Sequence, residues 1–168
     1  MTKRIDEPPR IVEREEQACV GIRTRATLRE WSTVNALLRE LLEWSSEVGV
    51  HPPVAPFYRY RVIGDEDRPY DVEVGIPIHE MPAESGRGIR GSIPGGRYVR
   101  LVHCGHPDRL DESHARLRAW AEEEGVELRK ELKDGVETWD GLFEFYLTDP
   151  AVEPDPDNWT IEVLCRVR

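Results

Sequence analysis

The stretches Trp31–Val50, WSTVNALLRELLEWSSEVGV, and Pro107–Val126, PDRLDESHARLRAWAEEEGV, decide how this chain folds. In the first, Thr27 followed three residues later by Glu30 reads as a capping box. Trp31, Val34, Leu37, Leu38, Leu41, Leu42 and Trp44 then recur at helical spacing until Gly49 stops the helix. In the second, Asp108 reads as the N-cap, and Leu110, Leu117 and Trp120 share one face before Gly125. A shift of 76 positions lays Val34 on Leu110, Leu41 on Leu117, Trp44 on Trp120, Gly49 on Gly125 and Val50 on Val126. Five matches in one register point to a duplicated unit.

Working outward, each helix follows a strand-like stretch rich in β-branched or aromatic residues, Ala18–Arg23 in the first half and Arg97–Cys104 in the second. Each helix also precedes two more: Phe57–Tyr60 and Tyr70–Ile78, then Phe143–Tyr146 and Thr160–Val167. The expected fold is therefore α+β: a tandem, pseudo-twofold repeat of strand-helix-strand-strand units, with an antiparallel sheet and a ligand groove between the repeats. One domain spans 1–168, with repeat one at about 10–82, a Gly/Pro-rich linker at 83–93 and repeat two at about 94–168. In the last strand of each half, Val72, Val74, Ile76 and Ile78, and Ile161, Val163, Cys165 and Val167, alternate with polar residues and should face the helices. The opposite faces carry Glu73 and Glu162. Pairing of the halves is expected to bring both acidic faces onto one groove. The segment AVEPDPDNW, 151–159, reads as a solvated connection.

Composition narrows the function. Acidic residues number 33 against 23 basic ones, a net charge of −10, which repels a nucleic-acid backbone, so no direct nucleic-acid partner is expected. Three cysteines without CxxC spacing argue for a reducing compartment. The start lacks an apolar leader, and no run approaches the roughly 20 apolar residues of a membrane span, so a cytoplasmic protein without membrane contact is expected. His103, Cys104 and His106 lie close together but have no second ligand cluster, so no metal site is expected. The glycine-rich 86–97 lacks the GK[ST] of a phosphate loop and leads into a strand, and no cofactor is expected.

IPGGRYVRLVHCGHPDRL (93–110), Trp120 to Gly125-Val126, LFEFYLTDP (142–150) and WTIEVLCRV (159–167), taken in order, resemble the GyrI-like small-molecule-binding domains. These also form the effector-binding half of multidrug-responsive transcription regulators. The resemblance spans Arg10 to Arg168, with no DNA-binding segment before it, and so implies the free-standing form. It implies a ligand held between the repeats: a bulky, hydrophobic, cationic aromatic molecule, bound for sequestration or sensing. Glu144 matches the family's counter-ion for lipophilic cations. Glu162 matches a second acidic position, and Glu73 is its counterpart in the first half.

Tyr58, Tyr60 and Tyr146 share strand parity with Glu144 and are the candidate ring wall, with Phe143 and Phe145 opposite in the core. Trp31 and Trp139 are candidate rims. The competing arrangement pairs Glu144 with Arg59, Arg97 or Arg100. Some relatives hydrolyse the strained cyclopropane of DNA-alkylating natural products. On that alternative Glu144 and Tyr146, one pleat apart, would be the catalytic pair. A protein partner such as DNA gyrase is the third class, and no apolar stripe in the sequence supports it.

Overall fold

Gly49 and Gly125 end the two helices in the same way. Both adopt positive φ, +72° and +67°, which glycine reaches without strain. The following valines close a Schellman turn, Val50 N donating to Ser45 O and Val126 N to Ala121 O, each at 2.8 Å. The first helix, α1 (Trp31–Glu47), starts at a 3-10 turn over Leu28–Glu30, where Thr27 N and Oγ1 both donate to Glu30 Oε1. The second, α2 (Leu110–Glu123), also starts at a 3-10 turn, over Pro107–Arg109, and the cap of that turn is His106 and not the expected Asp108: its Nδ1 accepts from Asp108 N at 3.0 Å. Pro107 takes the first helical position, where its missing N–H costs nothing.

The computed structural model describes residues 7–50, 55–80 and 88–168. Among these, nine strands form one antiparallel sheet: β1 (Arg10–Arg14), β2 (Gln17–Ala26), β3 (Phe57–Val62), β4 (Tyr70–Pro77), β5 (Ile89–Ile93), β6 (Gly96–Cys104), β7 (Lys130–Lys133), β8 (Val136–Tyr146) and β9 (Thr160–Arg166). The order is β1-β6-β9-β8-β3-β4-β2-β5, with β7 hairpinned onto β8. It runs alike in both directions from the central β3–β8 pair: β3-β4-β2 on one side and β8-β9-β6 on the other, each set enclosing one helix in sequence. Three strands lie outside the expected set. β1 and β5 add an edge to each half, and β5 falls inside the stretch read as linker, of which 83–87 lie outside the described residues.

Parity sorts the side chains. Val72, Val74 and Ile76 are fully buried under α1 with Val34 and Leu41. Ile161, Val163 and Cys165 are buried under α2 with Leu117 and Ala121. Full burial of such large apolar groups contributes roughly 1.5–3 kcal/mol each. The other sheet face holds a third cluster of Phe57, Phe143, Phe145, Tyr98, Leu164, Cys19 and Ile93. Gly75 makes room for it, because a Cβ there would lie 2.3 Å from Phe57 Cζ. Helix α1 packs on β2 and β4, and α2 on β6. The helices thus cover the flanks of the sheet and leave the β3–β8 seam open between them.

Candidate functional site

A cleft of about 1500 Å³ lies over that seam. Its floor is Tyr58 and Tyr60 from β3 with Leu142, Glu144 and Tyr146 from β8. One wall is α1, through Trp31, Asn35, Leu38 and Leu42, and the other is α2, through Leu110, Asp111, His114 and Arg118. The register sets Tyr58 directly opposite Glu144 and Tyr60 opposite Leu142. The helix-facing residues of the paired stretch, Tyr58, Tyr60, Leu142, Glu144 and Tyr146, therefore face the cleft.

The rings form a nearly continuous wall. Trp31 stacks on Tyr60 (centroids 6.1 Å, planes 10° apart) and on Tyr58 (6.4 Å, 21°), and meets Tyr70 edge-on at 5.2 Å. Tyr58 leans on Tyr146 at 5.3 Å, and Tyr146 meets Trp159 edge-on at 6.5 Å. Burial, and next the neighbouring Glu144 carboxylate, push the Tyr58, Tyr60 and Tyr146 phenols well up from the ordinary tyrosine value. All three hydroxyls therefore remain protonated near neutral pH. Tyr58 spends its own on Asn35 Oδ1 at 2.7 Å.

Glu144 is the charged group of the floor, and only 4 % of it is exposed. Tyr60 Oη donates to its Oε1 at 2.7 Å, and His114 Nε2 lies 2.7 Å from its Oε2. A carboxylate has about four lone-pair directions, so these two contacts leave acceptor capacity on both oxygens. The expected arginine competitors are engaged elsewhere or point away. Arg59 has the opposite parity, lies 3.9 Å from Asp140 and covers the Phe143 ring, and Arg100 is held by Glu162 at 2.5 Å. Arg97 is exposed on β6. Arg118, which does line the cleft, is engaged with Glu137 at 2.6 and 3.2 Å.

Of the site residues expected from sequence, the fold brings Glu144, Tyr58, Tyr60, Tyr146 and Trp31 together and leaves three out. Glu73 and Glu162 do not line the cleft. Their strands turn the apolar parity toward the helices, which puts both carboxylates on the far sheet face. There Glu73 lies across Gly21 and pairs with Arg61 at 3.3 Å, while Glu162 takes Arg100. The expected joint acidic groove does not form. Trp139 is buried rather than at a rim. It lies on β8 beyond the irregularity marked by Gly141 (φ +105°), donates to Glu137 Oε1 at 2.5 Å and packs under Arg118.

Two site residues escaped the sequence reading. Trp159 lies in the stretch read as solvated, but its indole donates to Glu153 O at 2.7 Å and the ring reaches the cleft. His114 sits four residues after Leu110 and three before Leu117, a titratable group on an apolar stripe, and that position was its signal. No His, Cys, Asp or Glu cluster suited to a metal occurs among the described residues, and no helix there is long and apolar enough to cross a membrane.

A family model described as the GyrI-like small molecule binding domain matches residues 7–168. No curated protein matches the sequence. Among solved structures, EcmrR in its DNA complex superposes with a TM-score of 0.76 at 20% identity over 95% of this chain, which spans 57% of that one. The isolated EcmrR C-terminal domain gives 0.71 at 18% identity, covering 95% of this chain and 96% of its own. SAV2435 bound to tetraphenylphosphonium gives 0.62 at 9% identity (96% and 94% covered), and a hydrolase from Listeria innocua 0.60 at 14% (97% and 93%). At these identities the likeness establishes the fold.

Proposed function

This chain belongs to the GyrI-like small-molecule-binding domains, and on that premise we propose that its cleft binds bulky, hydrophobic, cationic aromatic molecules for sequestration or sensing. The observation that carries the reading is Glu144: a carboxylate 4 % exposed, bonded to a phenol and an imidazole, on the floor of a cleft walled by Trp31, Tyr58, Tyr60 and Tyr146. A carboxylate so placed gains from any cation that reaches it out of water. Each favourable ring adds roughly 0.5–2 kcal/mol through cation–π attraction. Rings and one charge recognise planarity and sign with little demand on shape, which suits a range of ligands. That SAV2435 was solved with a lipophilic cation agrees with this class.

The test is a titration with size-matched cationic, neutral and anionic aromatics, following Trp fluorescence. The cation should bind with micromolar or better affinity, and the anion at least tenfold more weakly. Equal affinities for the three would overturn the reading.

A second reading is hydrolysis of cyclopropane-bearing alkylators. Two observations favour it: the Glu144–His114 hydrogen bond, an arrangement fit for moving a proton, and the fold shared with a Listeria hydrolase. Tyr146, its phenol pushed up by burial, would serve as a hydrogen-bond donor and not as a base. Ring-opened product that disappears in Glu144→Gln is the expected result, and a failure of the wild type to turn such a substrate over removes this reading.

A further inference from the structure

His114 and Glu144 meet at 2.7 Å inside the cleft, and that contact bears on which ligands the cleft accepts. Resting on the reading of the cleft as a cation site, we infer that His114 determines specificity as a built-in cation. An organic cation that reaches Glu144 displaces a proton from His114, so that binding releases one proton and tightens as pH rises.

Histidine is the side chain that ordinarily titrates between pH 5 and 8. Protonated, it presents an imidazolium to Glu144, and the pair is neutral. A ligand cation beside the same carboxylate leaves one positive charge in excess, in a region whose other inner groups, Trp31, Tyr58, Tyr60 and Tyr146, are uncharged. The relief is loss of the Nδ1 proton to buffer. The neutral imidazole keeps its Nε2–H on Glu144 Oε2, so the hydrogen bond survives while the charge leaves.

The surrounding ionisable groups do not take over this role. On α2, Asp111 is exposed and accepts from Glu112 N, and Arg118 is engaged by Glu137; at the mouth of the cleft Asp108 is exposed beside His106, and Asp149 is exposed and accepts from Ala151 N. Arg39, across on α1, is exposed. Tyr70 from β4 and the three floor tyrosines are phenols pushed up in pKa, and so are neutral in this range. The helix alignment places Leu38 where α2 has His114, and Leu38 also lines the cleft. The device therefore belongs to one half alone.

The experiment is calorimetric titration of the full chain with tetraphenylphosphonium, in buffers of different ionisation enthalpy, from pH 5 to pH 8. The buffer dependence should report up to one proton released per ligand. Affinity should rise by as much as about tenfold per pH unit where release is complete, then level off, since a released proton makes binding tighter at higher pH. His114→Gln keeps a donor for Glu144 but has no titratable proton. Its affinity should be flat across the range, exceed the wild type at pH 5, and release nothing.

A residue that merely props the cleft would instead weaken binding at every pH. Protonation of Glu144 would give a slope of the same sign, and such a slope surviving in His114→Gln overturns the inference. So does cation-selective binding by the wild type without proton release, a measurement that needs no variant. Absence of tetraphenylphosphonium binding at every pH would overturn the cation reading itself.

Discussion

Replacing Glu144 by glutamine separates charge from shape. Gln keeps the volume, can accept from Tyr60 and can donate toward His114, so the floor is preserved while one negative charge is removed. A ligand cation centred about 5 Å from the carboxylate gains, at an effective dielectric of about 20, roughly 3 kcal/mol. Incomplete approach and the hydration lost by the cation reduce this. The expected loss is about 1.4–2.7 kcal/mol, or 10- to 100-fold in Kd. The assay compares tetraphenylphosphonium with a neutral triarylphosphine oxide at pH 8. The cation should lose its 10- to 100-fold, and the neutral compound less than about threefold, as expected for a change worth well under 1 kcal/mol. Equal losses for the two would mean that Glu144 shapes the cleft and does not pair with a charge. No loss for either would remove it from the site.

Trp31→Ala should instead weaken both cationic and neutral aromatic ligands, the neutral ones by roughly 0.5–1.5 kcal/mol for the lost ring contact and the cations by more, through the lost cation–π attraction, and a loss confined to cations would contradict the stacking geometry. Gly75→Ala drives a methyl to within 2.3 Å of Phe57 Cζ. Overpacking of that kind costs about 1–3 kcal/mol and should lower Tm by roughly 3–10 °C in calorimetry, so an unchanged Tm would show that the far-face cluster is loosely packed. Cys104 is exposed, whereas Cys19 and Cys165 are buried, with thiols pushed up to about 12 by that burial. Maleimide at pH 8 should label Cys104 within minutes and the other two only after unfolding, with mass spectrometry as the readout.

The two matched helices and the alternating strands were legible because each rests on a local period: 3.6 residues for Trp31–Trp44, two residues for Val72–Ile78. The same parity rule placed Glu144 with Tyr58, Tyr60 and Tyr146 and set Phe143 and Phe145 on the other side, as the register requires. It misplaced Glu73 and Glu162 because parity within a strand does not say which sheet face is the open one. That depends on where the helices lie and on the gap they leave, a property of the whole sheet. The β7–β8 hairpin did have a local signal. Asp134-Gly135, with φ of 52° and 76°, is the dipeptide of a tight hairpin turn. Trp159 had none: its place depends on the carbonyl of Glu153 and the ring of Tyr146.

Although strand order is alike on the two sides of the seam, the chemistry is not. Tyr58 and Glu144 face each other across β3 and β8, and Leu38 and His114 occupy matched positions on α1 and α2. One half thus contributes apolar and ring surface, and the other contributes the charged pair. If both halves carried a carboxylate at the seam, the two would confront each other at the distance of directly opposed strand residues, and one would have to take up a proton. Placing Tyr58 opposite Glu144 avoids that repulsion and leaves one carboxylate on the floor, with Asp108, Asp111 and Asp149 on the same side of the cleft as it. The cleft is therefore polar along one axis. A ligand bound as proposed would turn its cationic end toward β8 and α2 and its apolar rings toward Trp31 and Tyr58, so a broad range of shapes would still be held in one orientation.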